Sequence, residues 1–574
     1  MGCAAKETER MAKHMKTVIV GGVAGGASAA ARLRRLDESA EIIMLEKGHY
    51  ISYANCGLPY YIGGEIAEEA SLLMQTPESF RSRYAVDVRT GHEALAIDPT
   101  KKAVTILEHA TGRQYEEAYD KLILAPGAEP VRPPLPGADH PRVFTLRTVP
   151  DALAIRQFIR QPGVQRAVII GGGFIGLEMT ENLMNAGLSV ALVEAGDHVM
   201  APLDYDTACS VHQYLRTKQV DLRLRCRVTE LQPQTNGLRV VLDDGTSLGA
   251  DFVLLAVGIR PDTALAKAAG LATNARGAIV VDKHMRTSNP DIYAVGDAVE
   301  VPHLVSGLPS HIPLAGPANR QGRTAADHIC GRNGVYRGSM GSSVLKLFDM
   351  TIACTGLNEA AAKAAGLVYD KTYLGALSHS GYYPGAERLS LKILFEQGTG
   401  RILGAQITGF GGVDKRCDVL SAAICAGMTA CDLADLELCY SPPYSTPRDP
   451  VNTAGFTIEN LLADGIRQFH WHDIEAIQND SNAVLLYVDN PKEGQTILPG
   501  SLTIPLDTLR DRLNELEPKK TLYVYSSGGI RAYSACRLLS QKGFDCRTLS
   551  GGTHLLNIIR KEQALLPSPK EQTK

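Results

Sequence analysis

The chain has 574 residues, 44% of them hydrophobic and 21% charged, and its 59 lysines and arginines nearly cancel 62 acids to leave a formal charge of -3. At about 150 residues per domain, that length predicts three or four separately cored units, and the balanced charge gives no electrostatic footprint for nucleic acid. No apolar run reaches the ~18 residues of a membrane-crossing helix and the start MGCAAKETER has no secretory apolar region, so the expected address is cytoplasmic, with no membrane partner.

Gly2 and Cys3 invite comparison with a lipidated terminus, but Lys6 stands where a myristoylation pattern carries Ser or Thr, so residues before Met15 read as an extended start. The first element is the β-branched strand Thr17-Val18-Ile19-Val20, followed by the turn Gly21-Gly22-Val23-Ala24-Gly25-Gly26 and an Ala-rich helix ending near Arg35. A second strand, Ile42 to Leu45, stops at Glu46, 25 residues beyond Gly21 and near the spacing at which a carboxylate meets a ribose. Gly21 permits the tight turn and Gly26 the close packing of helix on strand, while Val23 occupies the middle glycine position.

Ten residues after Glu46 comes Ile51-Ser52-Tyr53-Ala54-Asn55-Cys56-Gly57-Leu58-Pro59-Tyr60-Tyr61. The chain holds twelve cysteines and no CxxC pair, which argues against a zinc site or disulfide scaffold, predicts no metal, and turns attention to one special thiol. Buried strands ending in glycine turns recur at Leu122–Ala128 and Leu254–Pro261, where crossovers between two nucleotide units would lie. Between them Ala167–Ile170, the turn Gly171-Gly172-Gly173-Phe174-Ile175-Gly176-Leu177-Glu178, a helix and the strand Val190–Val193 repeat the first unit with all three glycines, Gly171, Gly173 and Gly176. Its strand ends at Glu194, which should accept bonds from an adenosine 2′-hydroxyl and repel a 2′-phosphate, favouring NADH with NADPH as the alternative. Thr287–Ala298 then closes a strand with Asp297 at its carboxyl end.

Together these segments resemble the two-dinucleotide-binding flavoproteins of the pyridine nucleotide disulfide oxidoreductase family, over about residues 15 to 455. The resemblance implies FAD on the first unit, held by Gly21, Gly26, Glu46 and by Asp297 on the ribityl chain, and NAD(P)H on the second. It sets Cys56 beside the flavin, where an oxidised flavin or a helix N-terminus would favour the reactive thiolate. Dithiol members carry a second cysteine five residues on; here that residue is Tyr61, so Cys56 must cycle as a mixed disulfide with an external thiol or as a sulfenic acid. The sulfenic-acid branch, NADH peroxidases and oxidases, carries a histidine in the first glycine turn where this chain has Ala24. The surroundings of Cys56 instead look like coenzyme A disulfide reductases, which implies CoA as bound thiol and substrate, with Ser52 and Asn55 assigned to it.

After a helix beginning near Pro313 and a strand-rich segment beyond Gly341, His379–Ala386 and Tyr440–Tyr444 resemble the dimerisation domain of those reductases. This implies a homodimer in which Tyr382 and Tyr440 reach the partner's active site, where a phenol can protonate or hold a leaving CoA thiolate. From His470 a new α/β pattern resembles a rhodanese domain whose sulfur-carrying cysteine is replaced by Ser526, with Gly529 and Arg531 in frame and Cys536 out of frame. Tyr487-Val488-Asp489 replaces the usual Asp-Val-Arg, so transferase activity should be lost and the domain should be separable, a structural remnant, with a loop before Arg531 that presents amides and a cation to an anion as the alternative. The tail from Pro567 reads as disordered.

The expected fold is α/β throughout: FAD-binding residues 15–125 and 255–335, NAD(P)H-binding 126–254, an α+β dimerisation domain 336–460 and a degenerate rhodanese-like domain 468–565. The expected activity is reduction of CoA disulfide, CoA persulfide or polysulfide through Cys56. The alternatives are an NADH oxidase or peroxidase, and a flavin-bearing redox or sulfur-binding sensor.

Overall fold

The structure is a computed structural model that describes residues 15–463, 465–490 and 497–566. The Gly2-Cys3 terminus and the tail from Pro567 lie outside the described residues.

Both glycine turns sit where expected, each at the carboxyl edge of a five-stranded parallel sheet. The first sheet runs Ile292–Ala294, Lys121–Leu124, Lys16–Val20, Glu41–Glu46, Asp87–Thr90, with Val18 paired to Ile43 on one side and Leu122 on the other. The second runs Asp221–Arg223, Ser189–Val193, Arg166–Ile170, Phe252–Leu255, Val143–Phe144. Their central strands are apolar without alternation because helices or further strands cover both faces, and Val18, Ile19, Ile43, Leu122, Ile169 and Leu254 are all buried. The two expected crossovers meet as a short antiparallel pair, Ala128–Pro130 with Ile259–Pro261, which ties the units at one hinge.

The Ala-rich helix Ala24–Leu36 lies against helix Ala315–Ile329 from the far end of the first unit. Small residues are required there: a Cβ on Gly322 would stand 2.3 Å from the Gly25 carbonyl oxygen. The third domain is a five-stranded antiparallel sheet, Ser343–Leu347, Met350–Gly356, Ile402–Gly409, Arg388–Glu396, Tyr369–Leu377, backed by helices Val413–Ala426 and Pro450–Ala463.

The C-terminal domain is a parallel sheet in the order Arg467–Phe469, Cys546–Leu549, Thr521–Tyr525, Ala483–Tyr487, Leu502–Thr503. The apolar stretch 498–506 yields only the two-residue edge strand Leu502–Thr503, because Pro499 and Pro505 lack amide donors and Gly500 turns the chain at φ +77°. This domain is not a loose appendage. Its helix Gly552–Leu565 packs on helix Tyr205–Thr217 of the second nucleotide unit, and Cys209, Tyr373, Leu555 and Ile559 form one buried cluster across three domains. Among the described residues no helix is long and apolar enough to cross a membrane.

Candidate active site

The two glycine turns are built alike. Gly21 and Gly171 take φ of +98° and +108°, a conformation that L side chains rarely adopt, and a Cβ on Gly26 or Gly176 would lie 1.9 or 2.0 Å from the carbonyl oxygen of Gly21 or Gly171. Each acid is fixed by the turn it serves: Glu46 accepts the amides of Gly22 and Gly48 at 2.9 Å, and Glu194 those of Gly172 and Gly196 at 2.7 Å. Both carboxylates are thereby aimed at the mouth of the turn with acceptor capacity left for ribose hydroxyls. Gly173, at the N-cap of helix Phe174–Asn185, has nothing within 4 Å of an added Cβ, so the backbone is open to a diphosphate. These cradles fit dinucleotides. Asp297, on a short turn of helix after Val295, lies with its carboxylate 3.7 Å from Arg147. Burial raises the Asp297 carboxyl above its ordinary value, partly offset by Arg147.

Cys56 is delivered to the first turn by backbone pinning. Ser52 donates its amide to the Gly22 carbonyl at 2.9 Å, Met74 donates to Ser52, and Ala54 donates to Leu72. Cys56 then sits in the single 3-10 turn Asn55–Gly57, ahead of helix Leu58–Gly63. Its residue surface is accessible, yet the crevice walls limit hydration of the thiol, and that burial, followed by the charges of Glu178 and Asp297, pushes the thiol above its ordinary value; Arg147 opposes. Among the protein's own side chains, burial and two acids thus disfavour the thiolate and Arg147 favours it. Glu178, on the facing helix of the second unit, is itself pushed up to about 7 by burial and by Glu181, with Tyr60 opposing through a hydrogen bond. Tyr61, where dithiol enzymes carry the second cysteine, is buried under the Arg156 guanidinium at 3.9 Å from its ring centre, a packing role. Glu178 lies two residues after the third glycine, Gly176, and was legible as an element of the motif, whereas Arg147 carries no sequence signal.

Beside this segment opens a cavity of about 300 Å³ that sequence reasoning missed. Ser52, in a left-handed conformation at φ +43°, forms part of its lining, as do Ser28, Asn319 and three arginines, Arg32, Arg35 and Arg323. Arg32 pairs with Asp327 at 2.7 Å and Arg323 approaches the same carboxylate at 3.9 Å, while Arg35 donates to the Tyr84 hydroxyl. Two of the cations share one acid and the third meets only a phenol, so the cavity is a basin of positive potential. Asn55, the other residue assigned to CoA, has a buried side-chain oxygen with no hydrogen-bond partner.

Tyr382 and Tyr440 come together on two loops of the third domain with hydroxyl oxygens 3.0 Å apart, and both face solvent in the single chain, 76% and 45% exposed. The buried pair Arg416 and Asp449 clamps those loops: Arg416 donates to the Ser378 carbonyl at 2.8 Å and meets Asp449 at 2.9 Å, and Ser445 donates to Asp449 at 2.6 Å. Hydrogen bonds from Tyr382 and Ser380 hold the Tyr440 phenol below its ordinary value.

In the C-terminal domain the loop after strand Thr521–Tyr525 is filled by its own side chains. Ser526 is buried and its hydroxyl accepts the amides of Gly529 and Ala532 at 3.1 and 3.3 Å. Asp489 takes the amide and hydroxyl of Ser527 at 2.7 Å and lies 3.3 Å from Arg531, whose other end meets Asp507 at 2.8 Å. Two of the loop amides, those of Ser527 and Gly529, and the Arg531 guanidinium therefore have internal partners, and the Asp489 carboxylate sits among them. Tyr487 is buried against Tyr525, and Cys536 is buried in helix Ile530–Gln541.

Three family models match consecutive parts of the chain: pyridine nucleotide-disulphide oxidoreductase over residues 15–322, the dimerisation domain of the same family over 342–449, and a rhodanese-like domain over 471–556. The coenzyme A disulfide reductase of Staphylococcus haemolyticus strain JCSC1435 is 34% identical over 447 residues, covering 78% of this chain and 100% of that protein. Two solved structures match along nearly the whole length. The reduced CoADR-RHD of Bacillus anthracis has TM-score 0.94 and 45% identity, covering 96% of this chain and 99% of that one. An NAD-dependent persulfide reductase from A. fulgidus has TM-score 0.87 and 38% identity, covering 94% and 100%.

Proposed function

The chain belongs to the pyridine nucleotide-disulphide oxidoreductase family, and from that premise we propose that it is an FAD-dependent enzyme that uses NADH to reduce coenzyme A disulfide, coenzyme A persulfide or polysulfide through Cys56 alone. The observation that carries the substrate is the arginine cavity joined to the Cys56 segment through Ser52. Coenzyme A bears a diphosphate and a 3′-phosphate on its nucleotide end and a thiol at the far end of a flexible arm. Arg32, Arg35 and Arg323 supply the planar donors that such phosphates need, and the arm leads past Ser52 and Asn55 to Cys56.

Gly21, Gly26, Glu46 and Asp297 would hold FAD, and Gly171, Gly173, Gly176 and Glu194 the nicotinamide dinucleotide. FAD, when bound, supplies the relay by which the electron pair of a nicotinamide reaches a sulfur–sulfur bond. Cys56, as the thiolate, attacks one sulfur of coenzyme A disulfide, forming a Cys56–coenzyme A mixed disulfide and expelling a coenzyme A thiolate; with coenzyme A persulfide the group expelled is hydrosulfide. Tyr382 and Tyr440, held as a pair by Arg416 and Asp449, reach the Cys56 crevice of a second copy of the chain and stabilise or protonate the leaving thiolate. Glu194 selects NADH, because its carboxylate repels a 2′-phosphate.

The test is steady-state NADH oxidation by the full-length protein with coenzyme A disulfide, coenzyme A persulfide, polysulfide and glutathione disulfide. One of the first three should be strongly preferred. A kcat/KM for glutathione disulfide equal to the best of them would overturn the reading, since glutathione carries none of the phosphates that the arginines would bind.

A further inference from the structure

Two cysteines of the C-terminal domain take no part in the loop at Ser526 or in the chemistry of Cys56, and the fold brings them together. Cys536 lies on helix Ile530–Gln541, and Cys546 opens the strand Cys546–Leu549 that follows it. Between them the chain reverses tightly: Lys542 and Phe544 donate their amides to the Leu539 carbonyl, and Gly543 donates to the Ser540 carbonyl and takes φ +86°. That turn lays the strand back along the helix, and Cys546 Sγ donates to the Cys536 carbonyl at 3.3 Å. The two thiols also hydrogen-bond one another, inside the apolar cluster that forms the core of the domain.

The pair is graded from outside to inside. Cys536 is fully buried, whereas Cys546 keeps 7% of its surface and follows the exposed Asp545 at the end of the turn. The hydrogen bond from Cys536 holds the Cys546 thiol below its ordinary value, with Ser540 helping and burial and Asp545 opposing. The same bond, followed by burial, raises the Cys536 thiol. A thiolate is the attacking form, so the outer sulfur is the nucleophile and the inner one, still protonated, reacts second. So narrow an opening admits a small neutral oxidant and excludes one of the size of coenzyme A disulfide.

We propose that Cys536 and Cys546 form an oxidation site, a dithiol that hydrogen peroxide converts into a disulfide joining helix Ile530–Gln541 to strand Cys546–Leu549. The Cys546 thiolate attacks one peroxide oxygen, the O–O bond breaks, and the departing hydroxide takes a proton to leave as water. The Cys536 sulfur then attacks the Cys546 sulfenic acid, the S–O bond breaks, and a second water leaves with the remaining thiol proton. Two thiols lose one electron pair and one peroxide becomes two waters. The bond closes a ring over the turn 537–545 and bars local opening of that corner of the domain.

The experiment is peptide mapping of the full-length protein after hydrogen peroxide treatment and alkylation of the remaining thiols under denaturing conditions. Trypsin cuts after Arg531, Arg537, Lys542 and Arg547, so the two cysteines fall in separate peptides, 532–537 and 543–547, that only a disulfide can join. Peroxide is raised until at least one of the exposed thiols Cys425 and Cys431 is oxidised. The joined peptides, two hydrogens lighter than their sum, should then account for more than about half of the chains and disappear on reduction with dithiothreitol. In Cys536→Ser the sulfenic acid should persist on Cys546 and be trapped by dimedone, and in Cys546→Ser the inner Cys536 should stay a thiol. Should a serine in the core prevent folding, Cys536→Ala should give the same trapping. Recovery of both peptides alkylated and unjoined, or Cys546 joined to any other cysteine, would overturn the inference.

Discussion

Lys392→Met tests the electrostatics of the three-domain junction. Lys392 is 1% exposed, and its ammonium lies 2.7 Å from Asp204, 2.9 Å from Asp206 and 2.6 Å from Glu359. Burial alone would raise the Asp206 and Glu359 carboxyls, but Lys392 together with Lys371, and on Asp206 the Tyr373 hydroxyl, offsets it, and both are held below their ordinary values. Removing one partner of a buried ion pair costs about 3 to 5 kcal/mol. The lower end is expected, because each acid keeps another contact: Lys371 on Glu359, Gln406 on Asp204, and Trp471 and Tyr373 on Asp206. Trp471, the only tryptophan of the chain, donates to Asp206 at 3.2 Å, so its emission reports the dock directly. Urea unfolding followed by that emission should show the variant undocking at lower denaturant, with emission shifted to the red. The sign with pH follows from the depressed carboxyls: their contribution is complete at neutral pH and is lost as pH falls through their folded values. In the variant the same acids take up protons earlier, so the gap should narrow toward about pH 4. A gap below about 1 kcal/mol at neutral pH, or one that widens on acidification, would refute this account.

Cys56→Ser should abolish reduction of coenzyme A disulfide while FAD stays bound, measured by NADH consumption and flavin absorbance; turnover at the unaltered rate would exclude Cys56 as the nucleophile. Arg35→Ala combined with Arg323→Ala should raise KM for coenzyme A disulfide roughly ten- to a hundredfold and leave KM for NADH unchanged, since charge-assisted bonds to phosphate are lost at one site only. Ser526→Cys should not restore sulfur transfer from thiosulfate, because Asp489 and Asp507 neutralise Arg531 and face any anionic persulfide; a cyanide-labile sulfur on that residue would contradict the geometry. Removing residues beyond 465 should lower stability, because it uncovers Cys209 and Tyr373. Retained stability would instead support the separable module that the sequence suggested.

The local chemistry of the two nucleotide units could be read from the chain alone, because strand, glycine turn, helix and terminal acid are contiguous and each residue answers to a neighbour a few positions away. Gly21, Gly26, Glu46 and their counterparts Gly171, Gly176 and Glu194 are of this kind, as is the solitary Cys56 with Tyr61 in place of a second thiol. So is the replacement at Ser526. What only the tertiary structure decided depends on residues far apart in the chain. Arg32 and Arg323 meet across helices some 290 residues apart because glycines let those helices touch. The Cys56 thiol is raised by burial in the assembled crevice and then by acids from other segments. The C-terminal domain, which reads as a separable remnant, is joined to the nucleotide unit by Trp471 on Asp206, by Gln213 on the Ile558 carbonyl and by Glu562 on Arg216. None of these has a local signature, because a buried charge or imidazole is defined by what surrounds it, and burial is a property of the assembled fold.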